Sequence, residues 1–193
     1  TDLLAADLQI CENQNGVCSG STKPAILCVG GVWTACGDTQ YTNHTSTYEA
    51  GAEVSCDALD NDCDADVDDD FTMTLGDGST TVSGGIGETC GLGECVGGTT
   101  ECNAAGTGIR CSTEAGGSAS KQVAEICDYK DNDCDGVKDE DHPYVQESNG
   151  ALRYTEDLCD GVGECGLGFV ECLSPTVAIC NSDPQGTKDQ SVA

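Results

Sequence analysis

The sequence predicts a small disulfide-rich tandem-repeat protein, with short β-hairpins, irregular aspartate-rich loops and little helix, strung into an extended array. Three observations carry this prediction: 16 cysteines in 193 residues, a cysteine pattern that recurs along the chain, and an acidic excess concentrated in two places. Cysteine at this density marks secreted disulfide scaffolds and an oxidising compartment. Zinc sites, the other common use of many cysteines, need closely paired thiolates, and no C-x-x-C occurs. Aromatic residues are scarce (one Trp, two Phe, five Tyr) beside 26 glycines, so no large apolar core is expected. In such chains disulfides of about 2–4 kcal/mol each, or bound metals, supply the missing stability.

The formal charge of −28, from 35 acidic and seven basic residues, repels nucleic acid and anionic membranes and leaves divalent cations as the natural partners. No run of residues is apolar and long enough to insert in a bilayer, and residues 1–10 lack a basic start and an apolar signal core. Export is therefore expected to be encoded elsewhere, the chain being a mature or excised part of a longer protein.

The repeat sets the organisation. A first copy carries Cys11, Cys18, Cys28, Cys36, Cys56 and Cys63, and a second carries Cys90, Cys95, Cys102, Cys111, Cys127 and Cys134. A third supplies Cys159, Cys165, Cys172 and Cys180, then ends before its acidic loop. Gly-Leu-Gly-Glu-Cys at 91–95 corresponds to Gly-Val-Gly-Glu-Cys at 161–165. The domain boundaries follow: repeat 1 over 1–71, a Gly/Ser/Thr-rich connector over 72–87, repeat 2 over 88–146, and a truncated repeat 3 over 147–193. Each copy should hold one hairpin: 25–36 around Val29-Gly30-Gly31, 99–102 with 109–111, and 169–172 with 177–180. All sixteen cysteines are expected in disulfides closed within each copy, the two loop cysteines pairing with each other or locally. Helical periodicity is confined to Leu3–Leu8 and Ala115–Ile126.

The acidic loops carry the chemistry. The first, 57–70, is acidic at eight of its fourteen positions, and the second, 128–141, repeats the spacing. A tight loop turns carboxylates one, three and five residues along onto one centre, which is how calcium loops gather oxygens. Asp60, Asp62 and Asp64 fit those places, as do Asp131, Asp133 and Asp135. Gly136 stands at the sharp bend, where the first loop has Ala65. Asp66 and Val137 would offer backbone carbonyls, Asp68 and Asp139 would act directly or through water, and Asp69 and Glu140, helped by Asp57 and Asp128, would replace the terminal bidentate Glu of an EF-hand. Hard oxygen ligands favour calcium over copper or zinc, and their number exceeds what magnesium takes.

The run Cys-Asp-Tyr-Lys-Asp-Asn-Asp-Cys-Asp-Gly-Val-Lys-Asp-Glu at 127–140, preceded by Gly-Leu-Gly-Glu-Cys and two further cysteines, resembles the MopE-type metal-binding repeats of bacterial secreted and surface proteins. The resemblance covers nearly the whole chain and implies an extracellular or cell-surface array. Copper, in the family name, is not carried over to these oxygen sites. A weaker likeness, to thrombospondin type 3 calcium repeats, is confined to the alternating aspartates.

Asn43-His44-Thr45 is a glycosylation sequon, expected on a surface loop between Cys36 and Cys56. No nucleophile, base and phosphate loop converge, so an enzyme is not expected. Two roles remain open at this level: a structural one, in which calcium stiffens a stalk or self-associating filament, and a soluble or surface-displayed metal-binding or adhesion module.

Overall fold

A computed structural model describes residues 9–163 and 166–189 of the chain. Cys165 and the helix expected over Leu3–Leu8 lie outside the described residues. Regular structure is sparse, as the composition requires, and strands pair with near neighbours in sequence. β1 (Cys28–Val29) pairs with β2 (Val32–Trp33), and β3 (Thr72–Thr74) with β4 (Thr81–Ser83). β5 (Thr89–Cys90), β6 (Gly98–Cys102) and β7 (Ile109–Cys111) form a three-stranded sheet in that order. β8 (Tyr144–Val145) pairs with β9 (Leu152–Arg153), and β10 (Leu158–Asp160), β11 (Leu167–Ser174) and β12 (Val177–Cys180) form a second three-stranded sheet. The three expected hairpins correspond to β1–β2, β6–β7 and β11–β12. The stretch 72–87, read as a connector, carries the β3–β4 pair.

The chain divides into two compact units: Thr1–Met73 with Thr81–Glu88 and Thr100–Arg110, and Thr74–Thr80 with Thr89–Thr99 and Cys111–Ala193. In the first unit, Cys11, Cys18, Tyr41 and Cys63 form a buried cluster, with Val17, Cys36 and Tyr48 packed against it. A second cluster there joins Cys56, Phe71 and Ile109 to Met73, Ile86 and Cys102. In the second unit, Tyr144, Cys159, Val170 and Cys180 are buried together. Half-cystines thus take positions that Leu or Ile would fill in a larger core.

A short helix α1 (Asp38–His44), absent from the sequence reading, forms in the first unit. Seven residues are too few to show an apolar period, and only Tyr41 is buried. Its start is held by the Gln40 side chain, which accepts the Gly37 N–H at 2.9 Å. Its end is held by His44, whose ring nitrogen lies 2.9 Å from the Ser19 carbonyl. Asn43, expected on a loop, is exposed on this helix. The helix expected over Ala115–Ile126 does not form. Gly117 packs so closely that a Cβ would sit 2.2 Å from the Ser112 carbonyl, and the segment runs through turns into irregular chain, with the Val123 N–H bonded to the Asn132 carbonyl.

Seven disulfides occur among the described residues, and their order corrects the expected closure within each copy. Cys11–Cys36, Cys90–Cys111 and Cys159–Cys180 each join the first and fourth cysteines of a copy. Cys18–Cys63 and Cys95–Cys134 join second to sixth. Cys56–Cys102 and Cys127–Cys172 run forward, from the first loop cysteine of one copy to the hairpin of the next. Loop cysteines do not pair with each other because they face different surroundings: Cys63 enters the cluster around Tyr41, while Cys56 enters the one around Phe71. Cys28 is a free, exposed thiol rather than a half-cystine. A peptide map of the unreduced protein should contain the linked pairs Cys56–Cys102 and Cys18–Cys63, and recovery of a Cys56–Cys63 peptide would contradict this order.

Candidate metal centre

Each acidic loop is wound by its own side chains. The Asp62 carboxylate accepts the Asp64 N–H at 3.2 Å and Asp64 accepts the Asp66 N–H at 2.9 Å. In the second loop Asp133 accepts from Asp135 at 3.3 Å and Asp135 from Val137 at 2.8 Å. Successive turns of this kind curl the backbone and leave the second oxygen of each carboxylate uncommitted. The curl requires left-handed backbone at Cys63 and Ala65 (φ +68° and +91°), matched by Cys134 and Gly136 (+65° and +91°). The first loop therefore holds an alanine where the second has the residue suited to that conformation.

Three devices fix the loops in place. Cys18–Cys63 and Cys95–Cys134 tie each loop to a short 3₁₀ turn, Gly16–Cys18 or Gly93–Cys95. The Asp60 carbonyl accepts the Val17 N–H at 3.0 Å and the Asp131 carbonyl accepts the Glu94 N–H at 2.9 Å. At Gly16 and Gly93 a Cβ would lie within 2.6 Å of the Asp60 or Asp131 carboxylate, so both turns must be glycine.

A glutamate then crosses each loop from the preceding arm. Glu53 accepts the Asn61 and Asp69 N–H groups at 2.7 and 3.1 Å, and Glu125 accepts those of Asp133 and Asp139 at 2.8 and 2.9 Å. Both glutamates are buried. Neither is among the expected ligands, although Ala-Glu followed by Val or Ile occurs in both copies, its Glu three residues before Cys56 and two before Cys127.

Carboxylate oxygens converge in groups that include Glu53 with Asp60 and Asp62, Asp64 with Asp66 and Asp69, and Glu125 with Asp133 and Glu140, one oxygen from each residue of a group lying within 4.8 Å of the others. Of the aspartates expected as ligands, Asp68 and Asp139 act differently. Both are fully buried. Asp68 accepts the Asp57 and Ala58 N–H groups at 3.0 and 2.8 Å, and Asp139 accepts those of Asp128 and Tyr129 together with the Thr155 hydroxyl at 2.7 Å. They close the loops from behind. Asp57 and Asp128 are exposed and make turns, each accepting the N–H two residues on at 3.1 Å. Asp131 receives the Asp135 and Gly136 N–H groups at 3.1 and 3.0 Å, and Val137 is exposed at the rim.

The electrostatics of these groups favour a compensating positive charge. Asp60 Oδ1, Asp69 Oδ1 and Glu140 Oε2 are buried acceptors without a hydrogen-bond partner, an arrangement that native proteins rarely leave uncompensated. Burial pushes Glu53 up to about 7, assisted by Asp68 and Asp62 against the pull of its backbone donors. Burial likewise pushes Glu140 up to about 7, with Asp135, Glu125 and Asp133 adding to it. Asp62, Asp69 and Asp133 are raised for the same reason, first by burial and then by neighbouring carboxylates. Sulfur also approaches Asp68 and Asp139, but Cys56, Cys102, Cys127 and Cys172 are bonded in disulfides and supply no thiolate. The His142 ring nitrogen lies 3.0 Å from the Glu125 carbonyl, a backbone partner. The donor set therefore suits a hard cation.

Disulfide-framed loops with orphaned carboxylate oxygens are the features expected of a small disulfide-rich metal-binding protein. Residues 43–69 and 119–140 match the Cu-binding MopE family model, described as "Putative metal-binding motif", so the chain carries that motif twice. Each match spans the crossing glutamate and the aspartates through Asp69 or Glu140. No curated protein and no solved structure matches the chain.

Two predictions follow from this geometry. Ala65→Gly should raise the stability of the metal-free chain by about 1 kcal/mol in urea unfolding, because alanine is strained at positive φ. Gly136→Ala should lower it by at least as much, since its Cβ would also stand 3.1 Å from that of Asp77. The second concerns pH. Because Glu53 and Glu140 sit near 7 in the fold, above their ordinary value of 4.5, their contribution is present below pH 4.5 and is lost as pH rises through about 7. The metal-free chain should thus have a higher urea midpoint at pH 5 than at pH 8, and excess divalent cation should reverse that order.

Proposed function

We propose that this chain is a calcium-binding segment of an extracellular structural array, in which cation capture by the two acidic loops stiffens a cell-surface stalk or filament. The observation that carries the calcium reading is the set of buried, partnerless carboxylate oxygens on Asp60, Asp69 and Glu140, inside loops wound by alternating aspartates. Two carboxylates 4 Å apart repel by about 1 kcal/mol even in water and by more near a protein surface. A dication with six to eight oxygen ligands relieves that repulsion and accepts the irregular geometry of these loops, which magnesium's strict octahedron does not.

The array reading is supported by the recurrence of one cysteine order and by disulfides that run forward from each loop to the next hairpin. In such a chain every acidic loop lies at a joint. The seven disulfides among the described residues support an oxidising, extracellular setting, and exposed Asn43 is available to glycosylation. The role is structural, with no catalytic residue assigned.

Calorimetric titration of the chelated protein should show calcium uptake with a Kd of about 10⁻³ M or tighter, and magnesium, copper and zinc should each bind more weakly. Glu140→Gln, which keeps the side-chain shape, should weaken the second loop roughly tenfold, and Asp131→Asn with Asp133→Asn should weaken it further. Unchanged calcium heats in both variants would remove the second loop from the assignment. Negative-stain imaging with and without EDTA tests the filament reading, which fails if the protein is monomeric in both.

A further inference from the structure

We infer that Cys28 and the apolar hairpin around it form a docking and cross-linking site for one further acidic loop, borne by a unit other than the three cysteine copies of this chain. The first observation is the disulfide order. Cys28, Cys102 and Cys172 are the third cysteines of their copies, and each lies on the first strand of its hairpin, β1, β6 or β11. Cys102 and Cys172 are each bonded to the leading loop cysteine of the preceding copy, Cys56 and Cys127, at sequence separations of 46 and 45. Cys28 occupies the same place and is free.

The second observation is the surface beside it. Around β6–β7 the incoming loop buries Ile109 to 8% exposure against Cys56 and Phe71. Its cysteine N–H bonds to the turn, Cys56 to the Gly106 carbonyl at 2.9 Å, and the corresponding bond at β11–β12 joins Cys127 to the Pro175 carbonyl at 2.9 Å. Among the described residues nothing covers the β1–β2 hairpin in this way. Ile26, Val29 and Val32 are 81%, 66% and 68% exposed, and no atom comes within 4 Å of the Cβ position at Gly30 or Gly31. Leu173 and Val177, which flank the turn of the covered β11–β12 hairpin, are 44% and 43% exposed. The bare face is the counterpart, at β1–β2, of the contact that an acidic loop makes at β6–β7 and at β11–β12, so the occupant it fits is a Cys-Asp-x-x-Asp-Asn-Asp loop with an unpaired leading cysteine and an apolar residue following.

Closing the link oxidises two thiols to one disulfide. The Cys28 thiol and the incoming cysteine thiol together lose two protons and two electrons to a disulfide oxidant, such as oxidised glutathione, which is reduced to two thiols. In steps, the Cys28 thiolate attacks the incoming cysteine's mixed disulfide with glutathione and expels the glutathione thiolate. The inference takes its biological sense from the array reading but does not depend on calcium.

The test uses two intact chains under non-reducing conditions: the native protein, and a donor carrying Cys28→Ser and Cys102→Ser, whose loop keeps its Cys18–Cys63 frame and whose freed Cys56 is activated as its thionitrobenzoate disulfide. Docking raises the effective concentration of the two sulfurs, so thionitrobenzoate release should be roughly tenfold faster than from a donor carrying Cys28→Ser and Ser79→Cys, activated at that exposed position. Mass spectrometry should place the link on Cys28, and Cys28→Ser in the acceptor chain should abolish the excess rate. Equal rates for the two donors, attachment elsewhere, or failure of Cys28 to react even with a small aromatic disulfide would each overturn the proposal. Running the assay in EDTA and in calcium separates the two readings, because capture that persists while titration shows no calcium uptake would sink the calcium reading alone.

Discussion

Like charges are crowded into loops that have no freedom to spread. Cys63 and Cys134 are pinned by disulfides to 3₁₀ turns, Asp60 and Asp131 are pressed against glycines, and Glu53 and Glu125 hold both sides of their loops through backbone N–H groups. A solvated acidic turn would relax by moving its carboxylates apart. Here the covalent frame prevents this, so protonation or cation capture must relieve the repulsion, and the raised carboxylates and orphaned oxygens both express that constraint.

The same frame substitutes for a core. Each buried cluster combines one to three half-cystines with only one or two buried aromatic or aliphatic residues. Short strands of two to eight residues cannot hold themselves together in water. The disulfides that bracket the hairpins, first cysteine to fourth, restrict the unfolded chain, and those from second to sixth attach the acidic loop to the same module. Hairpin, frame and cation site thus form one cooperative object, and loss of any part exposes the strain in the others.

The two loops solve one geometric problem with different residues. Glu53 stands three residues before Cys56, whereas Glu125 stands two before Cys127, yet each carboxylate receives N–H groups from both sides of its loop. Ala65 and Gly136 adopt the same φ of +91°. What is preserved is the direction in which backbone donors and carboxylate oxygens point, and that is the quantity a bound cation senses.

The sequence alone determined the cysteine frame, the three hairpins and the alternating aspartates, because cysteine spacing, turn residues and carboxylate spacing are local signals. It did not reveal the partner of each cysteine, since Cys56 and Cys63 are seven residues apart and their pairing depends on which buried cluster each side chain enters. Nor did it separate ligands from supports: Asp68 and Asp139 read like any other loop aspartate until their carboxylates are found bonded to N–H groups about ten residues earlier in the chain. Glu53 and Glu125 lay outside the alternating pattern and gained their role only when the preceding arm folded across the loop. Chain-local chemistry is written in spacing, whereas the assignment of buried polar groups to one another is settled only when distant segments meet.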